Sequence, residues 1–485
     1  MKHIVEMGMR CFLGRVSNLC IAFALTACVA KVPSSKKDIL GVDVPPSYSS
    51  KLDQSAASTD WVSQLSGDRV LKELIEDVKR NNWDIKKAAV RVETAVANAR
   101  IAGSKRFPIL SAGFEGRRAQ QAFIGFPFGD ESGSGTEGQI AKALSNNFGA
   151  ALNVSWEVDL WGRIRTGQQA YIAEVQAASE DLRGVAASLA AQTAKIWFAL
   201  LEANEQITLS EQGLASFMET QRTVRDAFDS GSGSASQVRV ASADVQTAKA
   251  LLEERRAQKR AAQRQIELLL GRYPAADLQA VGGFPEMPLP PPPGVPSGLL
   301  RRRSDIVAAE RRLTAAHQRM KEAKLALFPQ IKLTGDGGLA SASLRKLTNS
   351  GLGVWSVAGG FGQQIFRAGE ILGNLKLRNL AESEAYIDYQ RAVLNAFSEV
   401  ETRLDNEVAL RKREDALRGA EEDLIAAFDR SMDEYRRGVG NATSLLLTQR
   451  QMLGVRSQVL TLRRLRLYNR VNLHLALGGS IDKEK

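Results

Sequence analysis

Few side chains in this 485-residue chain are of the kinds that do chemistry. Histidine occurs three times, at His3, His317 and His474, far apart along the chain. A catalytic imidazole needs a partner, and a zinc site needs several ligands, so the scarcity argues against both. No Gly-x-Ser-x-Gly, no His-Glu-x-x-His and no convincing carboxylate pair is present, which leaves no catalytic residue to name and no metal site. The three cysteines, Cys11, Cys20 and Cys28, all precede residue 29, so no disulfide crosses the body of the chain. The one position with distinctive chemistry is the thiol of Cys28.

Residues 1–27 have the form of a secretory signal. Lys2, Arg10 and Arg15 make a positive start, against Glu6, and an apolar stretch Leu19–Leu25 follows. Leu25-Thr26-Ala27-Cys28 resembles the cleavage box of bacterial lipoproteins, in which the cysteine becomes the lipidated first residue. Val29 follows rather than aspartate, which in that resemblance points to the outer membrane. Several acyl chains on Cys28 would anchor firmly, each buried methylene contributing about 0.8 kcal/mol. Removing the signal lowers the formal charge from +11 to +9. Basic residues alternate with acidic ones, as in Arg411-Lys412-Arg413-Glu414-Asp415, so they read as solvated helix faces and not as a nucleic-acid surface.

The elements that carry these residues are punctuated by proline. Of 14 prolines, none lies between Pro127 and Pro274 and none follows Pro329. Proline disfavours a helix interior by about 3 kcal/mol. Two long helical halves joined by an extended, proline-rich strap at 274–296 follow from that spacing. The halves repeat. An offset of 221 carries Asp84-Ile85 onto Asp305-Ile306 and Phe107-Pro108 onto Phe328-Pro329. An offset of 207 carries Gly162 onto Gly369, Gly231 and Gly233 onto Gly438 and Gly440, and Gly271 onto Gly478. The seam Val245, Ala248, Leu252 maps onto Met452, Val455, Val459 at helical spacing. Residues 168–230 then predict one helix of roughly 95 Å, with a return helix at 236–270. The second half repeats this at 375–437 and 443–477.

Short alternating segments lie between the helices. Pro108–Arg118 places Leu110, Ala112 and Phe114 on one face; Phe148–Leu160 places Leu152, Val154, Trp156 and Val158. Pro329–Leu339 places Ile331 and Leu333, and Gly353–Phe366 places Trp355, Val357 and Phe361. Such alternation is the mark of a membrane β-barrel strand, or of a half-buried soluble sheet. Four strands cannot close a barrel, and open edges are not tolerated in lipid. Three chains would give twelve strands and an open lumen.

With these residues in view, the chain resembles the TolC/OprM outer membrane efflux proteins, in their NodT-like lipoprotein branch. Trp156-Glu157-Val158-Asp159-Leu160-Trp161-Gly162-Arg163-Ile164-Arg165 is similar to that family's signature between second strand and long helix. Leu299–Ile306 with Ala309-Glu310 is similar to its second-repeat opening, with Ser304 where proline is usual. Phe228-Asp229-Ser230-Gly231 and Tyr435-Arg436-Arg437-Gly438 resemble its helix-tip motif. The resemblance implies a mainly α protein with membrane β: a homotrimeric twelve-stranded barrel, four strands per chain, continued by a periplasmic helical barrel. It implies an outer membrane channel that joins a periplasmic adaptor and an inner-membrane pump of RND or ABC type, with no cofactor beyond lipid on Cys28. The domains expected are a signal peptide (1–27), a lipidated segment (28–60), a first repeat (61–273), the strap (274–296), a second repeat (297–479) and a tail (480–485).

The glycines at the two helix reversals suit positive φ and close approach by a partner backbone. Gly231, Ser232, Gly233, Gly438, Val439 and Gly440 are therefore the expected adaptor-docking tips. The aspartate ring that gates several relatives falls here on Ser444 and Leu447, which are not acidic, so the resemblance does not carry that gate over. Tyr435, Ser444 and Leu447 are the candidates for the aperture, and Leu445–Leu447 form either an apolar constriction or ordinary helix packing. Trp156, Trp161, Trp355 and Phe366 suggest an aromatic belt at the lower interface of the membrane that holds the barrel, or packing at the junction. The segment 119–147, with Phe123, Phe126 and Phe128, reads as a loop that faces outside or folds over the pore. Alternative functions are a lipid-anchored coiled-coil tether, the duct of a type I secretion system and, least of all, a periplasmic enzyme.

Overall fold

The duplication in the sequence is repeated in the backbone element for element. The first half runs α1 (Arg69–Asn81), α2 (Trp83–Ser104), β1 (Ile109–Phe123), β2 (Ala141–Val158), α3 (Arg163–Asp229) and α4 (Ala235–Leu269). The second runs α5 (Pro296–Arg302), α6 (Ser304–Leu325), β3 (Gln330–Ser341), β4 (Gly353–Gly362), α7 (Glu370–Arg436) and α8 (Ala442–Ala476), with a 3-10 turn at Leu344–Lys346. The offset of 221 lays α2 on α6 from first residue to last, and 207 does so for α3 on α7 and for α4 on α8. The structure, a computed structural model, describes residues 47–49, 69–123, 141–280, 282–288, 296–347 and 353–479, which belong to one unit, Val44–Lys485. The leader 1–27, Cys28, Phe126, Phe128, residues 289–295 of the strap and the tail 480–485 lie outside the described residues.

Helices α3 and α7 have 67 residues each, about 100 Å at 1.5 Å per residue. They begin five residues before the expected 168 and 375, immediately after Gly162 (φ 78°) and Gly369 (φ 85°). The left-handed glycine turns the chain into the helix, a conformation that other residues adopt only with strain. At α3 the carboxylate of Asp159 accepts from the amides of Ile164 (3.0 Å) and Arg165 (2.7 Å). Two orphan donors are thereby satisfied, and a negative charge sits at the positive end of the helix. Glu157 pairs with Arg163 at 2.7 Å, and the Trp161 indole donates to the Pro329 carbonyl at 2.7 Å. The Trp156–Arg165 signature is thus a strand-to-helix joint that also ties the first repeat to the second.

The main core lies midway along α3 and against the C-terminal turns of α4 and α8. Trp197, Phe198, Leu200 and Leu201 of α3 pack with Leu71, Ile75 and Val78 of α1, Ile266 of α4, and Leu467 and Val471 of α8. One 18-residue window of α3 has a mean hydropathy of 1.3 and is half buried within the protein. It is the core segment of a long helix. The strap that follows α4 is held by polar contacts. The Glu267 carboxylate accepts from the amides of Ala276 (2.7 Å), Asp277 (2.8 Å) and Leu278 (3.3 Å). Burial raises its pKa, but these backbone hydrogen bonds outweigh that and hold it below the usual carboxylate range. They also hold Ala276 at φ 66°, which alanine rarely adopts.

The four strands form one antiparallel sheet in the order β1-β2-β3-β4. The β2–β3 pairing joins the two repeats, and β1 and β4 are the outer strands. Directly paired residues share a face. Leu110 opposes Val154, Trp156 opposes Leu333, Ile331 opposes Phe361 and Gly337 opposes Trp355. Most of the large apolar residues of the four strands therefore share one face, and Leu110, Phe114, Leu152, Trp355, Val357 and Phe361 are exposed there, while Ile109 and Val354 fall on the other. The other face carries Ser111, Glu115, Asn153, Ser155, Lys332, Thr334, Asp336 and Ser356.

The strand limits differ from expectation, most at the outer end of the first hairpin and at the end of β4. The hairpin β1–β2 extends through Phe123 and Ala141, so the expected loop 119–147 is in part strand. Its outer residues, such as Gln120 and Gln121, are polar on both faces, which erases the alternation used to find strands. Strand β4 stops at Gly362 instead of Phe366 because its partner begins at Gln330, directly after a proline that has no N–H to give.

Candidate functional site

Both helix reversals are built alike. At the first, the amide of Gly231 donates to Phe228 O (2.9 Å), and those of Ser232 and Gly233 to Ala227 O (2.9 Å each). At the second, Gly438 donates to Tyr435 O (3.0 Å), and Val439 and Gly440 donate to Glu434 O (3.1 and 3.0 Å). Gly231 and Gly438 have φ of 81° and 76°. Positive φ does not explain the second glycine of each pair, as the spacing had suggested. Gly233 and Gly440 are outside that region, and a Cβ there would lie 2.9 Å from Phe228 N and 2.6 Å from Tyr435 N. Their role is to let the returning chain cross its own helix end. Ser234 then caps α4 with Gln237 in a capping box, and Asn441 caps α8 through Thr443 N at 2.8 Å. The result is two rigid knuckles whose exposed points are Gly231, Ser232, Gly438 and Val439, the last 78% exposed.

Val224 of α3, Val238 and Ala241 of α4, and Ala442 and Leu446 of α8 pack together beneath the tips, with Tyr435 of α7 against them. Three polar links cross between the hairpins. Arg450 grips Asp244 with two contacts of 2.9 and 2.8 Å, Arg436 meets Glu219 at 2.6 Å, and Gln449 donates to Ser216 at 2.8 Å. Sequence reasoning missed all three. Their partners are more than 200 residues apart, and each is a common charged or amide residue on a charged helix.

The aperture candidates differ in their surroundings. Leu445 and Leu446 are buried among the protein's own helices, which settles those two positions as packing. Ser444 and Leu447 lie one turn apart on the exposed side of α8. Tyr435 is half-buried in the cluster, where burial raises the pKa of its phenol. Its hydroxyl has no hydrogen-bond partner among the described residues.

Of the expected aromatic belt, Trp156 donates to Arg106 O at 3.0 Å, and Trp161 stacks on Phe328 with ring centres 5.4 Å apart. Both lie at the helix end of the sheet. Trp355 does not, since it pairs with Gly337, seven residues into β3 and about 23 Å along the strand. The alternation placed it on the right face but carried no information on height.

Between α7 and α8 runs a buried charged seam. Arg470 donates to Glu407 at 2.6 Å, Arg466 to Glu414 at 2.6 Å, and Arg418 to Glu414 at 2.7 Å. Burial alone would raise the Glu414 carboxyl, yet Arg466 and Arg418 bring it below its ordinary value. Burial, with Arg470 nearby, pushes His474 down to about 4. No group of three histidine, cysteine or carboxylate side chains placed to hold a metal exists among the described residues.

A family profile described as outer membrane efflux protein matches residues 74–272 and 295–479. The chain is 30% identical over 423 residues to the toluene efflux pump outer membrane protein TtgF of Pseudomonas putida, covering 86% of this chain and 84% of that protein. It is 26% identical over 466 residues to the cation efflux system protein CusC of Escherichia coli, covering 95% and 98%. The solved open state of the Neisseria gonorrhoeae MtrE outer membrane channel superposes with a TM-score of 0.79 at 27% identity, over 93% of this chain and 98% of that one.

Proposed function

From the premise that the chain belongs to the outer membrane efflux protein family, we propose that its two tips dock a periplasmic adaptor and that the helices just above them set the aperture. The protein is a homotrimeric outer membrane channel subunit of a tripartite efflux system, working with a periplasmic adaptor and an inner-membrane pump. The observation that carries the docking and aperture reading is the pairing of two identical knuckles over one shared cluster. Gly231, Ser232, Gly438 and Val439 offer backbone and small side chains to a partner, and the polar links above them decide whether the two hairpins move apart. Ser444 and Leu447, exposed on α8, are the side chains left to face the aperture once Leu445 and Leu446 are packed away.

The sheet supports conduction through a trimer-built wall. Its apolar face suits lipid and its polar face suits a wet lumen, while β1 and β4 each leave an edge for a neighbouring chain. Three copies supply twelve strands. A mere tether has no use for such a face. The names of the relatives favour efflux over protein secretion, and a proton-driven RND pump is the partner we infer. Relatives carry names for toluene and for cations, so the cargo class follows the pump. The duct performs no chemistry of its own in this reading, and Cys28 carries the lipid.

Reconstituted trimers in planar bilayers test the duct: loosened-tip variants that never pass ions would overturn it. Cysteines placed at Ser232 and Val439 should crosslink to an adaptor in intact cells, and a failure to capture any envelope protein there would refute docking. Metabolic labelling with palmitate should mark the wild type and not Cys28→Ser; an unlabelled wild type would remove the anchor.

A further inference from the structure

The helices leave the sheet at the Ile109, Val158, Gln330 and Gly362 ends, so the two hairpin ends form its opposite rim. In an outer membrane channel with periplasmic helices, that rim faces outward. Its depth in the bilayer is set by the apolar face. On that face Phe148 opposes Gly116 on one side and Ser341 on the other. The next pair outward on the same face is Arg118 with Asn146, about 7 Å farther along the strands. Strand β3 ends at Ser341, level with Phe148, and the short turn that follows carries Arg345 and Lys346, both exposed. Three cations therefore stand near the outer end of the sheet, where the apolar face is first interrupted by charge, with the exposed Leu144 and Leu344 beside them. At the opposite rim, Arg163 and Arg367 are paired with Glu157 and Glu370. Arg118, Arg345 and Lys346 have no ion pair with a described carboxylate.

We propose that this rim binds the phosphate groups of the phosphorylated glycolipid in the outer leaflet, with Arg118 on the β1–β2 hairpin and Arg345 and Lys346 on the β3–β4 turn as its contacts. A guanidinium matches phosphate with paired hydrogen bonds, and an ammonium adds a compact charge. Fixed cations at headgroup depth meet phosphates at high local concentration, within the Debye length over which salt lets the attraction act. In the trimer the sites repeat around the barrel, so each copy recruits its own annulus of lipid. The proposal rests on the reading of the apolar face as lipid-facing.

The test is native mass spectrometry of the detergent-extracted trimer, titrated with a bis-phosphorylated hexa-acyl glucosamine disaccharide and with the same lipid lacking both phosphates. The phosphorylated form should be retained about a hundred-fold more tightly, three cations near an anionic surface each contributing about five-fold. The variant R118Q/R345Q/K346Q should erase the difference, while R118K/R345K/K346R should keep most of it. Equal retention of the two lipids by wild type, or an unchanged preference in the glutamine variant, would overturn the proposal. Displacement of the lipid by millimolar inorganic phosphate would reassign the site to free anion. Failure to retain either lipid would instead strike at the lipid-facing reading of the sheet.

Discussion

Arg450 of α8 and Asp244 of α4 form a two-pronged pair, with Nε to Oδ1 at 2.9 Å and the guanidinium NH2 to Oδ2 at 2.8 Å. The two residues belong to different repeats, so the contact fastens one tip hairpin to the other. Asp244 is mostly buried and Arg450 about half exposed. Geometry of this kind is stronger than an ordinary surface pair, yet solvent at the arginine limits it to about 1 kcal/mol. Arg450→Ala combined with Arg436→Ala removes both charged links and should weaken the joined arrangement of the hairpins by about 2 kcal/mol, roughly a thirty-fold shift in the ratio of joined to separated hairpins. Single-channel recording should show more frequent or longer openings than wild type. Unchanged open probability in the double variant would mean that the hairpins are held elsewhere.

The two glycines of each tip should respond differently to alanine. At Gly438 the surroundings are open but φ is 76°, so Gly438→Ala costs only the backbone preference, about 1 kcal/mol. At Gly440 a Cβ meets Tyr435 N at 2.6 Å, and that backbone cannot yield without opening the reversal. Gly440→Ala should cost about 3 kcal/mol. Hydrogen exchange of the amides of residues 434–440 is the readout. Faster exchange in Gly440→Ala than in Gly438→Ala is expected, and the reverse order would contradict the close-approach explanation.

The helices, the reversals and the duplication were legible in the sequence because each leaves a local or periodic mark. Glycine at 162, 231 and 271 and its echo 207 residues on mark helix ends, and the absence of proline sets helix length. The sheet's lipid face was legible wherever apolar and polar residues alternate. It was not legible at Gln120 and Gln121, where polar residues occupy both faces of β1, nor could alternation report the height of Trp355. The contacts that join the hairpins were hidden for a different reason. Glu219 with Arg436 and Asp244 with Arg450 are ordinary surface-type residues, and only the packing of α3, α4, α7 and α8 makes them neighbours. Leu445 and Leu447, two residues apart, illustrate the same limit: one is fully buried and the other 52% exposed, and a leucine run does not say which.

The buried seam between α7 and α8 predicts acid sensitivity. His474 titrates near 4 in the folded protein, where burial and Arg470 disfavour its cation, and near 6.5 when unfolded. The unfolded chain binds the extra proton first, so stability is full above pH 6.5 and falls as pH drops toward 4. A shift of that size amounts to about 3 kcal/mol per chain. Glu414, held below its ordinary value against the desolvation that burial imposes, adds a further loss at lower pH as its contacts with Arg466 and Arg418 are protonated away. The melting temperature of the trimer should fall between pH 6.5 and 4, and His474→Gln should flatten that part of the curve. A histidine variant with the wild-type slope would show that other groups carry it.

The alternation on β4 makes neighbouring residues into opposite tests. Val357 opposes Gly335 on the apolar face and is exposed, while Ser356 opposes Asp336 on the polar face, where their side chains are hydrogen-bonded. Val357→Arg places a charge against hydrocarbon and should destabilise the inserted barrel by about 2–4 kcal/mol per chain if it lies near the midplane. Trimer yield in outer membrane fractions should drop accordingly. Ser356→Arg places the same side chain against Asp336 in the wet interior, where a carboxylate is ready to receive it. That variant should assemble in near-normal amount and, by adding three cations around the lumen, shift the reversal potential of the open channel toward anion preference. Comparable assembly of the two variants would mean that the sheet does not present its apolar face to lipid. The opposite ranking, with the serine position intolerant and the valine position tolerant, would turn the barrel inside out.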